Sequence, residues 1–148
     1  MLVVPREEIT KKSKPVVDMI IQVEPLMKMM ACLCNQKDTD GRTAYALAHC
    51  QVDRENPLTF FVMNNGDAIV NPKIIEGKGM VWSEEGCMSF LHKPSVKVQR
   101  FKRIKVEYWL INNKETRFVH KTIEGRFAMI MQHEIDHFNR KTIYDKEN

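Results

Sequence analysis

The chain has 148 residues, 43% hydrophobic and 28% charged, and carries a formal net charge of +4. Those values exclude a disordered or fibrous protein and predict a single domain, 1–148, with its own hydrophobic core. No apolar run nears the ~20 residues that span a bilayer.

The opening segment, MLVVPREEIT, is charged too early for a secretory signal, so the cytoplasm is the expected compartment. Cys32, Cys34, Cys50 and Cys87 are then expected as reduced thiols or metal ligands rather than disulfides. The densest basic group, Lys97, Arg100, Lys102, Arg103 and Lys105, is expected as a solvated strand face, with weak attraction to an acidic surface such as RNA as the alternative.

From Val16 to Cys34 the pattern is helical, with Pro25 suited to the first turn of PLMKMMACLC. Cys32 and Cys34 fall in that helix and read as small hydrophobes. KDTDGR (38–43) has the chemistry of a polar loop. Six segments then read as strands: YALAHCQV, LTFFVMN, AIVNPKII, VKVQRF, RIKVEYWLI and TRFVHKTI. Asn112 and Asn113 between the last two predict a hairpin turn. A final helix spans about Ile123 to Phe138, with Phe127, Met131, Ile135 and Phe138 on one stripe and Met129 and Ile130 widening it. A helix apolar over so much of its circumference is expected to be buried. The expected fold is α+β: mostly antiparallel sheets packed around a central buried C-terminal helix, with an N-terminal helix added.

That last helix contains His133-Glu134-Ile135-Asp136-His137. Residues i and i+4 share a helix face, so both imidazoles can reach one metal ion, with Glu134 beside them as a general base. The bland alternative, two chance histidines near a salt-bridging glutamate, leaves costly polar groups on an apolar helix. A catalytic site of this type needs a third protein ligand and one open position. Only eleven residues follow His137 and none is histidine, so the ligand is sought upstream. His49, His92, His120 and the cysteines are the candidates. One of His49 and Cys50 is expected to face inward, His92 and His120 to lie on the surface, and local features favour Cys87 in SEEGCMSF. Asp136 reads as a helix-face charge, with a role behind the ligands as the alternative.

Three stretches in order, ALAHCQ (46–51), EGCMS (85–89) and QHEIDH (132–137), together with VNPKII (70–75), resemble the peptide deformylases. The resemblance runs from about Ile9 to Asp145 and is to a short form of the kind carried by phages. It implies that Cys87, His133 and His137 bind one divalent metal, with Fe(II) favoured in cells and Zn(II), Ni(II) or Co(II) also accommodated. It further implies that Glu134 is the acid/base, and that Gln51 and the Met88 backbone N–H assist the oxyanion. Tyr45, Met129 and Ile130 are the implied lining of a methionine slot. The peptide would lie as an extended strand beside Ala46 and the segment that begins at Glu85.

Ala44 and Ala46 stand where the family usually has glycine, His49 and Cys50 where it has small residues or proline, and Arg140 where a glycine commonly follows the helix. The expected activity is removal of the formyl group from N-formylmethionyl nascent peptides, by a monomer in the bacterial or host-bacterial cytoplasm, with transient ribosome contact and none with membrane. The competing readings are a metallopeptidase of other specificity and a non-catalytic, metal-stapled binding module, which would call for four protein ligands.

Overall fold

A five-stranded antiparallel sheet organises the chain, with strand order following sequence order. The computed structural model describes residues 8–37, 41, 43–86 and 95–141. The strands are β1 (Ala46–Ala48), β2 (Phe60–Met63), β3 (Ala68–Glu85), β4 (Val96–Ile111) and β5 (Thr116–Glu124). The helices are α1 (Met19–Gln22), α2 (Glu24–Cys34) and α3 (Arg126–Phe138). The α+β architecture, with an N-terminal helical pair and a C-terminal helix against the sheet, is the expected one.

Both faces of the sheet are covered where β1 and β2 lie, and the sequence there is apolar at every position. Leu47, Phe60, Val62, Ala68 and Val70 form one cluster with Met30, Leu33 and Cys34 of α2. Their alternates, Ala46, Ala48, Phe61 and Ile69, join Ile104, Val106, Tyr108 and the Ala128, Met131 and Phe138 side chains of α3. Period-two alternation of side chains thus feeds two cores from one sheet. Thirteen residues of α3 carry six buried ones, including Gln132, Glu134 and His137.

Local departures from the expected elements have identifiable causes. The N-terminal helix starts at Met19, because the Asp18 carboxylate accepts the Ile20 and Ile21 N–H groups at 3.0 and 3.1 Å. Pro25 then sits in the first turn of α2 and forces a fresh start after Val23. Cys34 is buried, whereas Cys32 is exposed rather than a core hydrophobe. VKVQRF and RIKVEYWLI join into one strand, β4, because neither glycine nor proline separates them. AIVNPKII extends to Glu85, and register shifts after Val70 and Ile74 absorb Asn71 and Pro72. Asn71 adopts a positive φ of 50° and its side-chain amide pairs with both backbone groups of Val16. Gly77 is required by packing: the Phe101 ring lies 2.5 Å from where a Cβ would stand. The predicted Asn112 turn is present, with Asn112 Oδ1 accepting the Lys114 and Glu115 N–H groups.

Past the end of β5 at Glu124, residues 80–85 of β3 and 96–101 of β4 pair only with each other, as a two-stranded ribbon over α3. Gln132 ties the helix to it. Its Oε1 accepts the Phe101 N–H at 2.8 Å, and its Nε2 donates to the Phe101 carbonyl at 3.0 Å. Among the described residues no helix is long and apolar enough to cross a membrane.

Candidate metal centre

His133 and His137 lie one turn apart on α3, and their Nε2 atoms are 3.2 Å from each other. Two nitrogens each ~2.0–2.1 Å from one tetrahedral ion stand roughly 3.3–3.4 Å apart, so the donor pair suits a shared metal. Glu134 lies between them in sequence, almost fully buried, and its Oε2 has no hydrogen-bond partner among the described residues. A buried carboxylate oxygen left so is expensive unless a water or ion meets it. Burial pushes the Glu134 carboxyl up to about 7, with Glu85 adding to the rise and His133 and Arg100 opposing it. Burial also holds His137 well below the usual imidazole range, reinforced by His133 and Arg100, so its ring is neutral and fit to donate a lone pair.

The ring of His133 is set from behind. Glu85 Oε1, at the end of β3, lies 2.8 Å from His133 Nδ1 and takes that N–H, which leaves Nε2 as the donor toward the shared point. Glu85 is in turn gripped by Arg100, whose Nε and Nη2 donate to its two oxygens at 2.9 and 2.6 Å. The third arm of Arg100, Nη1, donates to Asp136 Oδ2 at 2.6 Å. Burial alone would raise the Glu85 carboxyl, but the bonds from Arg100 and His133 outweigh it and hold it at about 2.

This buried network corrects two expectations. Arg100 is 2% exposed, so it is not part of a solvated basic face. Asp136 is not a plain surface charge but the far end of a chain that runs to a candidate ligand. The Glu85 carboxylate is committed to Arg100 and His133, which leaves only its backbone for a peptide.

The remaining candidates divide clearly. Gln51 is buried in the 3₁₀ turn His49–Gln51, and its Oε1 accepts the Ala48 N–H at 2.9 Å, so its amide NH₂ is the donor end. His49 is not held toward the metal helix. Its Nδ1 accepts the Leu58 N–H at 2.9 Å, its ring stacks on Phe60 at 4.8 Å, and Asp53 lies 3.8 Å from its Nε2. Contrary to strand alternation, both His49 and Cys50 are buried, because β1 ends at Ala48 and the chain turns.

Cys50 Sγ points to the His137 carbonyl at 3.7 Å. Ala46 lies on β1 without a positive φ, so alanine fits where glycine is usual. Tyr45 precedes it, half exposed, while Met129 and Ile130 are partly buried against the α3 core. His120 is exposed on β5. Arg140 does take the left-handed conformation that favours glycine, at φ 62°, where the chain leaves α3. Cys87, Met88 and His92 lie outside the described residues, and among the described ones no group of three potential ligands forms.

Two side chains escaped sequence reading: Arg100 and Gln132. Arg100 was hidden in a run of exposed basic residues, and only its position on the inward register of β4 distinguishes it.

A family model described as polypeptide deformylase matches residues 1–148. The chain belongs to the peptide deformylase family. A peptide deformylase of Thermotoga petrophila is 34% identical over 140 residues, covering 92% of this chain and 79% of the relative. The crystal structure of peptide deformylase from Thermotoga maritima superimposes with a TM-score of 0.81 at 31% identity, over 99% of this chain and 96% of that one. A probable peptide deformylase from synechococcus phage S-SSM7 gives a TM-score of 0.80 at 25% identity, with 97% of each chain covered. Several further curated deformylases are matched over about half of their own length. The family is metal-dependent and removes the N-terminal formyl group from nascent polypeptides.

Proposed function

We propose that this deformylase holds one divalent metal through Cys87, His133 and His137 and hydrolyses the formyl amide of N-formylmethionyl peptides. The observation that carries the reading is the 3.2 Å approach of the two Nε2 atoms beside the buried, unbonded Glu134 Oε2. One thiolate and two imidazoles accept Fe(II), Zn(II), Co(II) or Ni(II), and family resemblance favours Fe(II) in the cell. When bound, the metal supplies Lewis-acid polarisation of the formyl oxygen and a lowered pKa for the attacking water.

The chain's own groups do the rest. Glu134 takes a proton from the water as its oxygen bonds to the formyl carbon, and returns one to the amide nitrogen as the C–N bond breaks. Formate and a free amine result. The Gln51 amide NH₂ and the Met88 backbone N–H donate to the developing oxyanion. Met129, Ile130 and Tyr45 bound the methionine slot, and the peptide backbone pairs with β1 at Ala46. A formylated amine is uncharged, so the site need not neutralise an ammonium. The protein acts as a monomer in the bacterial cytoplasm, where formylated nascent chains emerge from ribosomes.

Formate release from formyl-Met-Ala-Ser by anaerobically iron-loaded protein, beside the unformylated peptide as control, tests the reaction and metal together. Glu134→Ala is expected to keep its metal and lose about 10²–10⁴-fold in kcat. Cleavage of internal peptide bonds without formate would overturn the assignment.

A further inference from the structure

Arg126 opens α3 on the same helical stripe as Ile130, His133 and His137. Seven residues of helix place it about 10.5 Å beyond His133 along the axis. Its guanidinium carbon lies 4.8 Å from the centroid of the Tyr45 ring. It makes no ion pair with a described residue, and its near neighbour Glu124 is engaged by Arg103 at 3.2 Å. Tyr45 is 50% exposed and is pinned at the threshold of β1, its carbonyl accepting the Asn64 N–H at 2.8 Å.

Nothing in the helix favours an arginine there. The first turn of α3 has no acidic residue, Gly125 provides no side-chain cap, and a cation at a helix N-terminus opposes the helix dipole. A local rule broken without a structural return points to function. What the arrangement supplies is an exposed, oriented positive group at the end of the stripe that bears the two histidines.

An extended peptide beside β1 turns alternate side chains to the same side. With methionine in the slot along Met129 and Ile130, the third residue faces that side too, roughly 6.6 Å further on. Its side chain then arrives at the rim formed by Tyr45 and Arg126. We propose that Arg126, stacked on Tyr45, selects formylated peptides with an acidic third residue. The inference rests on the deformylase reading and names a substrate preference within it.

The test uses three C-terminally amidated peptides, formyl-Met-Ala-Glu, formyl-Met-Ala-Gln and formyl-Met-Ala-Lys, with Ni(II)-loaded protein at low and moderate salt. The Glu peptide is expected to exceed the Lys peptide about three- to tenfold in kcat/KM, through KM rather than kcat, and less so at higher salt. Arg126→Leu should bring that ratio near one, and Arg126→Glu should reverse it. Binding of the matching unformylated peptides to metal-free protein, followed by calorimetry, should rank in the same order. A ratio near one in the unaltered protein, or one that survives Arg126→Leu, overturns the inference and leaves the deformylase reading intact. Failure to release formate from all three peptides overturns both.

Discussion

His49, one of the upstream histidines weighed as a third ligand, serves the fold instead. Its ring is buried, stacked on Phe60, and used as an acceptor by the Leu58 N–H. Burial holds its pKa below the usual 6.5, with Asp53 opposing weakly. The folded state therefore stays neutral at a pH where the unfolded chain takes up a proton. Stability present above pH 6.5 is lost as pH falls toward the folded value.

His49→Phe is expected to flatten that acid limb while lowering stability at pH 7.5 by about 1–3 kcal/mol, because the Leu58 N–H loses its acceptor. Urea midpoints at several pH values check both effects; an unchanged acid slope would remove the histidine from the account. At Gln51 the expected loss lies in turnover instead. Gln51→Leu should cost about 2.7–4 kcal/mol of barrier, read as a fall in kcat with KM nearly constant.

At the scale of elements, the site depends on how the β3–β4 ribbon meets α3. Gln132 docks the helix onto the Phe101 backbone, and Arg100 links Glu85 of β3 to Asp136 of α3. Arg100→Met would leave two carboxylates near His133 without their cation. The expected outcome is about 3–5 kcal/mol of lost stability and a metal affinity weakened about 10–100-fold, measured by denaturation and by competition with a Zn(II)-binding dye. Normal affinity with reduced stability would make the network purely structural.

The helix and its ligand spacing were legible in sequence because i,i+4 geometry is local. The partners of Arg100 were not, because they come from positions 15 residues before and 36 after it in the chain. Charge in a strand also says nothing about which face it takes until a register fixes the face.

For the whole molecule, the proposed ligand set would tie His133 and His137, one turn apart on α3, to Cys87, two positions past Glu85 in the sequence. A ligand bound only by the folded state adds stability by mass action, about 4 kcal/mol at a thousandfold excess over Kd. Chelation is therefore expected to lower Tm by roughly 10 °C for a domain of this size, with full recovery on adding Ni(II). A scan in which chelator leaves Tm unchanged would mean that the ribbon and helix are held together without the ion.

Sequence alone determined the α+β order of elements, the buried last helix, the histidine pair with its glutamate and the family. The first three rest on spacing along the chain, and the family on the resemblance of its motifs. Only the tertiary structure decided that Arg100 is interior, that Glu85 serves His133, that His49 is packed on Phe60, and that Arg126 stacks on Tyr45. Those depend on strand register and helix docking, where residues far apart in sequence become neighbours.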